Sequence, residues 1–284
     1  MDRPLLMNGK TCLVTGAASG HGEAVAKALA AAGAELYILD RNEAGSARVR
    51  DEIAALTGRP PEIVFCDLSS MKDIRRAAGE FLAAGRPLHL LVNNAGMVSR
   101  AFRETVDGVE ETMAVNFLAL FQLTMLLLER IRASAPARIV NVSSDAHRIA
   151  SIDPDDMERR RGRYSIMGAY GRSKLAVTYF TVELARRLEG TGVTVNALDP
   201  GPVASNIARK EGLIPKMANA IIQLTFPRPE RAARTCLHLA MSRDVEGMTG
   251  GYWRFMRQKE PKLTGGPELG ARLWEVSARM TGIG

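Results

Sequence analysis

The sequence is poor in the groups that build covalent or metal frameworks. Its 284 residues include three cysteines, Cys12, Cys66 and Cys236, widely spaced and with no Cys-x-x-Cys pair. Two of them sit in apolar, strand-like runs. The four histidines, His21, His89, His147 and His238, fall into no ligand spacing. Neither a disulfide framework nor a metal site is expected. No apolar stretch precedes the first strand-like run, which argues against a signal peptide. No run reaches the roughly 18 to 20 apolar residues of a membrane-spanning helix. The most apolar segment, Leu118 to Leu128, is interrupted by Gln122 and Thr124 and reads as a buried helix. Internal repeats, low-complexity tracts and linkers are missing too. A cytoplasmic protein is expected.

What is present is enough chain for a large α/β domain with a buried core. Apolar residues make up 46% and charged residues 24%, the balance of a globular protein. The formal net charge of +7 raises the question of a nucleic-acid or membrane-surface partner. The basic residues are scattered, however. Their one dense cluster, Arg159-Arg160-Arg161-Gly162-Arg163, reads as a solvated loop or as an anion contact. No nucleic-acid partner is expected.

Short apolar runs alternate with amphipathic stretches along the chain, the pattern of a doubly wound, mainly parallel sheet. Thr11 to Thr15 reads as a buried strand. It runs into Gly16-Ala17-Ala18-Ser19-Gly20-His21-Gly22 and then an alanine-rich helix from Glu23 to Ala32. Strand, glycine turn and helix together cradle a phosphate: glycines let the backbone come close, and the helix start offers free N–H groups. The spacing is Gly-x-x-x-Gly-x-Gly, not Gly-x-Gly-x-x-Gly. A second strand, Glu35 to Leu39, ends at Asp40. A carboxylate there can hold the ribose hydroxyls of an adenosine and repel a 2′-phosphate, which favours NAD over NADP. Arg41 argues the other way, because a guanidinium can accept that phosphate. The alternative for Asp40 is a cap for the helix from Asn42 to Leu56.

A third strand, Glu62 to Cys66, ends in Asp67-Leu68, and Ser69 or Ser70 caps the helix after it. A fourth, Leu88 to Val92, ends in Asn93-Asn94-Ala95-Gly96, where an open α/β sheet places its ligand. The helix from Val109 to Arg132 holds Asn116 among Met113, Val115, Phe117 and Leu120, so this amide needs hydrogen-bond partners. It is either a satisfied structural amide or a site residue. A fifth strand, Arg138 to Val142, ends in Ser143-Ser144. A sixth, Val193 to Leu198, ends in Asp199-Pro200-Gly201-Pro202-Val203, and a seventh lies near Gly250 to Phe255. The amphipathic stretch Ile207 to Phe226 suits a lid over an apolar pocket, a weak membrane contact or a plain surface helix. The tail, Pro267 to Met280, reads as a C-terminal helix.

Tyr170 and Lys174 stand four residues apart at the start of a helix reaching Arg187. Positions i and i+4 share a helix face. A nearby cation favours the phenolate and lowers a tyrosine pKa from its usual value near ~10, which lets a phenol exchange protons near neutrality.

Taken together, Thr15-Gly16-x-x-x-Gly20-x-Gly22, Asn93-Asn94-Ala95-Gly96, Asn116, Ser144, Tyr170-x-x-x-Lys174 and Pro200-Gly201 resemble the short-chain dehydrogenase/reductase family, of the compact type. The resemblance spans residues 9 to 255. It implies a single Rossmann-type domain over 1–284, a seven-stranded sheet, a substrate lid near 204–227 and a C-terminal helix near 267–281. It implies hydride transfer between a nicotinamide cofactor and a carbon bearing hydroxyl or carbonyl. Tyr170 would be the general acid/base, and Ser144 would hold the same substrate oxygen. Lys174 would hold the nicotinamide ribose and depress the Tyr170 pKa. Asn116 would distort its helix and anchor a proton-relay water.

By the same resemblance Gly16, Ser19, His21 and Gly22 would line the dinucleotide, although an aliphatic residue is usual where His21 stands. Asp40, Arg41, Asp67, Leu68, Asn94, Ala95 and Gly96 would line the dinucleotide as well. So would Pro200, Gly201, Val203 and Ser205. NAD is the preferred cofactor, with NADP possible. The long interval from Ser144 to Tyr170 and the ending Ala271-Arg272-Leu273-Trp274-Glu275-Val276-Ser277 resemble the retinol-dehydrogenase-like branch. That implies a small lipophilic alcohol or carbonyl substrate. Two features depart from the branch: members favouring NADP usually lack an acid at the position of Asp40, and many carry an N-terminal membrane segment. A homo-oligomer, dimer or tetramer, paired through the helices bearing Asn116 and Tyr170, is also implied. The alternative is a non-catalytic dinucleotide sensor or scaffold on the same fold, against which the intact Asn116, Ser144, Tyr170 and Lys174 argue.

Overall fold

All five residues of Thr11–Thr15 (β1) are buried. Only a strand covered on both faces tolerates that, because neighbouring side chains point to opposite sides. In the computed structural model, which describes residues 6–157, 163–201 and 229–283, both faces are covered. Leu13 joins one apolar cluster, while Cys12 and Val14 join another on the opposite side.

The further strands are Glu35–Asp40 (β2), Glu62–Phe65 (β3), Leu90–Asn93 (β4), Ala137–Val142 (β5), Val193–Asp199 (β6), Tyr252–Arg254 (β7) and Arg257–Lys259 (β8). They form one sheet in the order β3-β2-β1-β4-β5-β6-β7-β8. All pairings are parallel except β7 with β8. Among the described residues the sheet thus has eight strands rather than the expected seven. The extra one, Arg-Gln-Lys, is exposed at every residue and carries no apolar pattern to mark it.

Gly20–Ala31 (α1), Glu43–Thr57 (α2) and Pro229–Met241 (α6) pack on one face. Met71–Ala83 (α3), Glu111–Ala133 (α4), Ile166–Arg187 (α5) and Gly266–Thr281 (α7) pack on the other. Helix starts follow local chemistry. Asn42 accepts the Gly45 N–H, Ser70 that of Asp73, and Ser165 that of Gly168. The Ser165 cap starts α5 at Ile166, a turn earlier than Tyr170. α4 is long and apolar enough to cross a membrane, contrary to the expectation from run length. Yet 72% of its apolar stretch is buried inside the protein, so it is a core helix. All three cysteines are buried free thiols, pushed up to about 12 by burial.

α7 lies across α4 and α5. The Trp274 ring stacks on Phe180 with centroids 5.7 Å apart and meets Phe121 edge-on at 5.3 Å. One aromatic face of α4 and α5 is thus covered by α7 of the same chain.

The strand order steps out in both directions from β1 and β4. Neighbouring loops there leave to opposite sides of the sheet, which opens a crevice at the carboxyl ends. The glycine turn, Asn93 to Gly96, Ser144, and Pro200 with Gly201 all lie at that end.

Candidate active site

The glycine turn after β1 and the loop after β4 are pressed together. A Cβ at Gly22 would stand 2.2 Å from the Gly16 carbonyl oxygen and 2.3 Å from Asn94 Nδ2, so no larger residue fits. Asn94 is the strut between them. Its amide donates to the Thr15 and Gly16 carbonyls at 2.8 and 3.1 Å. Thr15 Oγ1 in turn accepts the N–H groups of Asn94 and Ala95, both at 3.0 Å. With its NH2 fixed on two carbonyls, Asn94 presents Oδ1 to His21 Nδ1 at 2.7 Å. That contact requires the proton on Nδ1. Burial holds His21 below the ordinary histidine pKa.

The remaining dinucleotide candidates flank this turn. Ser19 is exposed and sits at the N-cap of α1 without a side-chain capping bond. At Gly20, with φ +60°, a Cβ would meet nothing within 4 Å, so the backbone there faces open space. Asp40 ends β2, with one carboxylate oxygen accepting from Ala18 N at 3.0 Å and the other from Asn42 N at 2.9 Å. It braces the glycine turn, while the helix cap itself is Asn42. Arg41 pairs with Asp67 at 3.4 Å, both half exposed. Leu68 and Ala95 line a small cavity with Thr15 and Asn93. Val203, Ser205, the expected lid at 204–227 and most of the arginine cluster lie outside the described residues. The glycine turn, the helix start at Gly20 and the Asp40 carboxylate fit a dinucleotide.

Asn116 sits in a π-helical turn, Ala114–Leu118, inside α4. Wide turns of this kind occur at functional sites. Its Oδ1 accepts from Met97 N at 2.7 Å, and its Nδ2 donates to Met97 O and Ser173 Oγ, each at 3.0 Å. The amide is satisfied and also near the site. A Cβ at Gly96 would lie 3.4 Å from both Asn116 Oδ1 and Lys174 Nζ.

The serine pair divides its work. Ser143 is buried, bonded to the Lys174 carbonyl and Thr178, both at 2.9 Å. Ser144 Oγ accepts from Ala146 N at 3.2 Å and lies near the Tyr170 phenol, close enough to lower its pKa. Tyr164, the other tyrosine nearby, is committed elsewhere: its hydroxyl faces Ser99 O at 3.0 Å and Glu110 at 3.2 Å.

Lys174 is 3% exposed and donates to Val142 O at 2.8 Å, with Nζ 5.7 Å from the Tyr170 ring centre. Burial pushes its pKa down to about 8, against the opposing pull of Asp199. The expected depression of Tyr170 is not what the chain alone produces. Burial raises the phenol, Ser144 lowers it, and the Asp199 charge raises it further.

This gives a stability prediction. Between about 8 and the ordinary 10.5, folded Lys174 holds fewer protons than unfolded Lys174, so stability rises with pH across that window. Below it both states are protonated and the full burial cost is present. From about pH 7 to about pH 10, wild type should gain about 2 to 3 kcal/mol relative to Lys174→Met in urea unfolding. A constant difference between the two proteins would show that the ammonium is not desolvated.

One cluster was not legible as part of the site. Asp145, Asp199, Tyr252 and Arg254 meet behind Ser144, from three separate segments of chain. The available signal was an arginine beside Trp253 in a short strand at the carboxyl end of the sheet.

Comparison with known proteins places this geometry. A family model described as short chain dehydrogenase matches residues 10–213. The chain is 41% identical to retinol dehydrogenase 12 of Mus musculus, over 97% of this chain and 87% of that protein. It is 37% identical to retinol dehydrogenase 13 of Homo sapiens, over 97% of this chain and 85% of that protein. The NADP active-site complex of RhlG from Pseudomonas aeruginosa superposes with a TM-score of 0.71 at 29% identity, covering 88% of this chain and 96% of that one.

Proposed function

The chain belongs to the short chain dehydrogenase family, as a retinol-dehydrogenase-like member, and on that premise we propose that it oxidises or forms a lipophilic alcohol with Tyr170 as general acid/base. The coarser activity is that of the family: a nicotinamide-dependent oxidoreductase acting on alcohols. The observation that carries the finer reading is the meeting of the Tyr170 phenol with Ser144, while buried Lys174 stands beside Gly96 and Asn116. When bound, a nicotinamide supplies the hydride acceptor or donor.

The chain's own residues handle the proton. Tyr170 takes it from the alcohol oxygen in oxidation and returns it in reduction. Ser144 holds the same oxygen by hydrogen bond and so fixes which atom meets the phenol. Lys174 carries the positive charge that a phenolate needs nearby, and it can bind a ribose hydroxyl. Asn116 Oδ1 keeps a second lone pair, available to a relay water.

A lipophilic substrate is supported by apolar side chains exposed on the elements that bear the site. Ile149 stands on the short turn that Ser144 caps, and Met167 in the first turn of α5. Phe255 packs against Gly201 and is otherwise exposed. NAD is the preferred cofactor in this reading. Asp40 is a fixed negative charge at the tip of β2, suited to ribose hydroxyls and repulsive to a 2′-phosphate. Arg41, drawn toward Asp67, offers that phosphate little. The test is a set of initial rates with NAD and NADP against primary alcohols of increasing chain length. Rates should rise with apolar length and be higher with NAD. Fastest turnover of short polar alcohols would overturn the substrate class, and faster turnover with NADP would shift the weight to Arg41.

A further inference from the structure

We propose that Arg254 is a positioning residue, clamping the loops that carry Ser144 and Pro200-Gly201 through Asp145 and Asp199. The inference rests on the reading of Ser144 and Tyr170 as the groups that handle the substrate oxygen.

The geometry starts from strand register. Arg254 of β7 lies opposite Asp199 of β6 at the carboxyl end of the sheet. Its Nε is 3.1 Å from Asp199 Oδ2, and its Nη1 pairs with Asp145 Oδ2. Tyr252, two residues earlier and so on the same face, donates its hydroxyl to Asp145 Oδ1 at 2.8 Å. Both oxygens of Asp145 are thereby held from β7. Asp145 follows Ser144 directly, and Asp199 directly precedes Pro200. Asp199 also accepts the N–H of Gly201 at 3.0 Å and lies near the backbone of Asp145. One guanidinium therefore joins the turn after β5 to the turn after β6. His147 holds the other side of Ser144, with Nδ1 2.8 Å from the Ser144 carbonyl and its ring packed edge-on against Tyr252.

A second observation is independent of these ion pairs. The two-residue turn joining β7 to β8 has φ of +52° at Phe255 and +59° at Met256. Such turns normally carry Asn or Gly, because side chains strain in that region. Here the strained turn sets the Phe255 ring 4.8 Å from the Arg254 guanidinium and against Gly201. Strain kept at this one place is what a clamp on the site would require.

The clamp also balances charge. Asp199 is 5% exposed and its carboxylate acts on both Tyr170 and Lys174. Tyr170 faces Ser144, Lys174 and Asp199. Lys174 faces the Val142 carbonyl, Asn116, Asp199 and, across the glycine turn, His21. Asp199 faces Asp145 and Arg254. Removing the guanidinium leaves two neighbouring carboxylates uncompensated beside the phenol and the ammonium. Both groups then hold their protons more tightly.

The experiment is the pH dependence of kcat for alcohol oxidation. Arg254→Met should move the rising limb to higher pH by about one unit. Arg254→Met combined with Asp199→Asn should bring it back toward wild type. Asp199→Asn alone should move it down, and Arg254→Lys should leave its position unchanged while lowering kcat. Restoration by the second substitution is a result that a purely structural role would not give. An unmoved limb in Arg254→Met overturns the proposal, as does one in Asp199→Asn if Arg254→Met does not fold. Tyr170→Phe is assayed alongside. If it remains active, the reading of the site fails. If it is inactive while the limbs stay unmoved, the clamp alone fails.

Discussion

Tyr170→Phe is expected to lower kcat by about 10² to 10⁴, the range of a positioned general acid/base, while the cofactor still binds. The substitution removes one oxygen and keeps the ring. Packing around the half-buried side chain is therefore retained, and Lys174 keeps its bond to Val142. What disappears is the hydroxyl beside Ser144 and with it the only proton that the phenol can give or take. The glycine turn, Asn94 and Asp40 are untouched, so dinucleotide affinity should change little. Single-turnover rates with a fluorescence titration of the reduced cofactor separate the two quantities. A variant with near wild-type rate would end the case for Tyr170, and lost cofactor binding would make the tyrosine a binding residue instead.

Trp274→Ala is expected to destabilise the fold by about 3 kcal/mol, with the melting temperature falling by roughly 6 to 10 °C. The indole fills the space between α4 and α5: it stacks on Phe180, meets Phe121 edge-on and lies under the Arg187 guanidinium at 4.1 Å. Leu273 and Val276, buried on the same helix, enter the same cluster. Both ends of α7 are tied down by polar contacts. The Gly265 N–H donates to the Tyr179 hydroxyl at 2.8 Å, and the Thr281 carbonyl accepts from Arg75. With its ends held, α7 cannot collapse into the gap, so the cavity persists and its cost is felt in full. Urea unfolding of the two proteins measures this directly. A loss below about 1 kcal/mol, the level of a surface change, would mean that α7 does not hold the α4–α5 face.

How much of the site could be read beforehand follows from where each determinant lies. Gly16, Gly20 and Gly22 were legible because a turn between a buried strand and a helix is local chemistry. Helical spacing puts Tyr170 and Lys174 on one face, and the family resemblance, not the spacing, singled them out. Asn116 announced itself as an amide in an apolar stretch, but its π-turn and its bonds to Met97 and Ser173 come from neighbours far along the chain. Asn94, expected to line the dinucleotide, also braces the glycine turn through contacts that no local pattern shows. β8 was missed because three exposed polar residues have no apolar period.

The sequence by itself determined the order of elements and the doubly wound sheet, which follow from short-range patterns: strand and helix periods and turn glycines. The expected reaction centre, Asn116, Ser144, Tyr170 and Lys174, came from the family resemblance. Only the tertiary structure decided the electrostatics of that centre. Burial drives Lys174 down to about 8 and Tyr170 up. Burial is a property of the packed whole, not of five consecutive residues. The same holds for Arg254, which reaches Asp145 and Asp199 because β7 lies beside β6, and for α7, whose tryptophan finds its place only once α4 and α5 lie side by side.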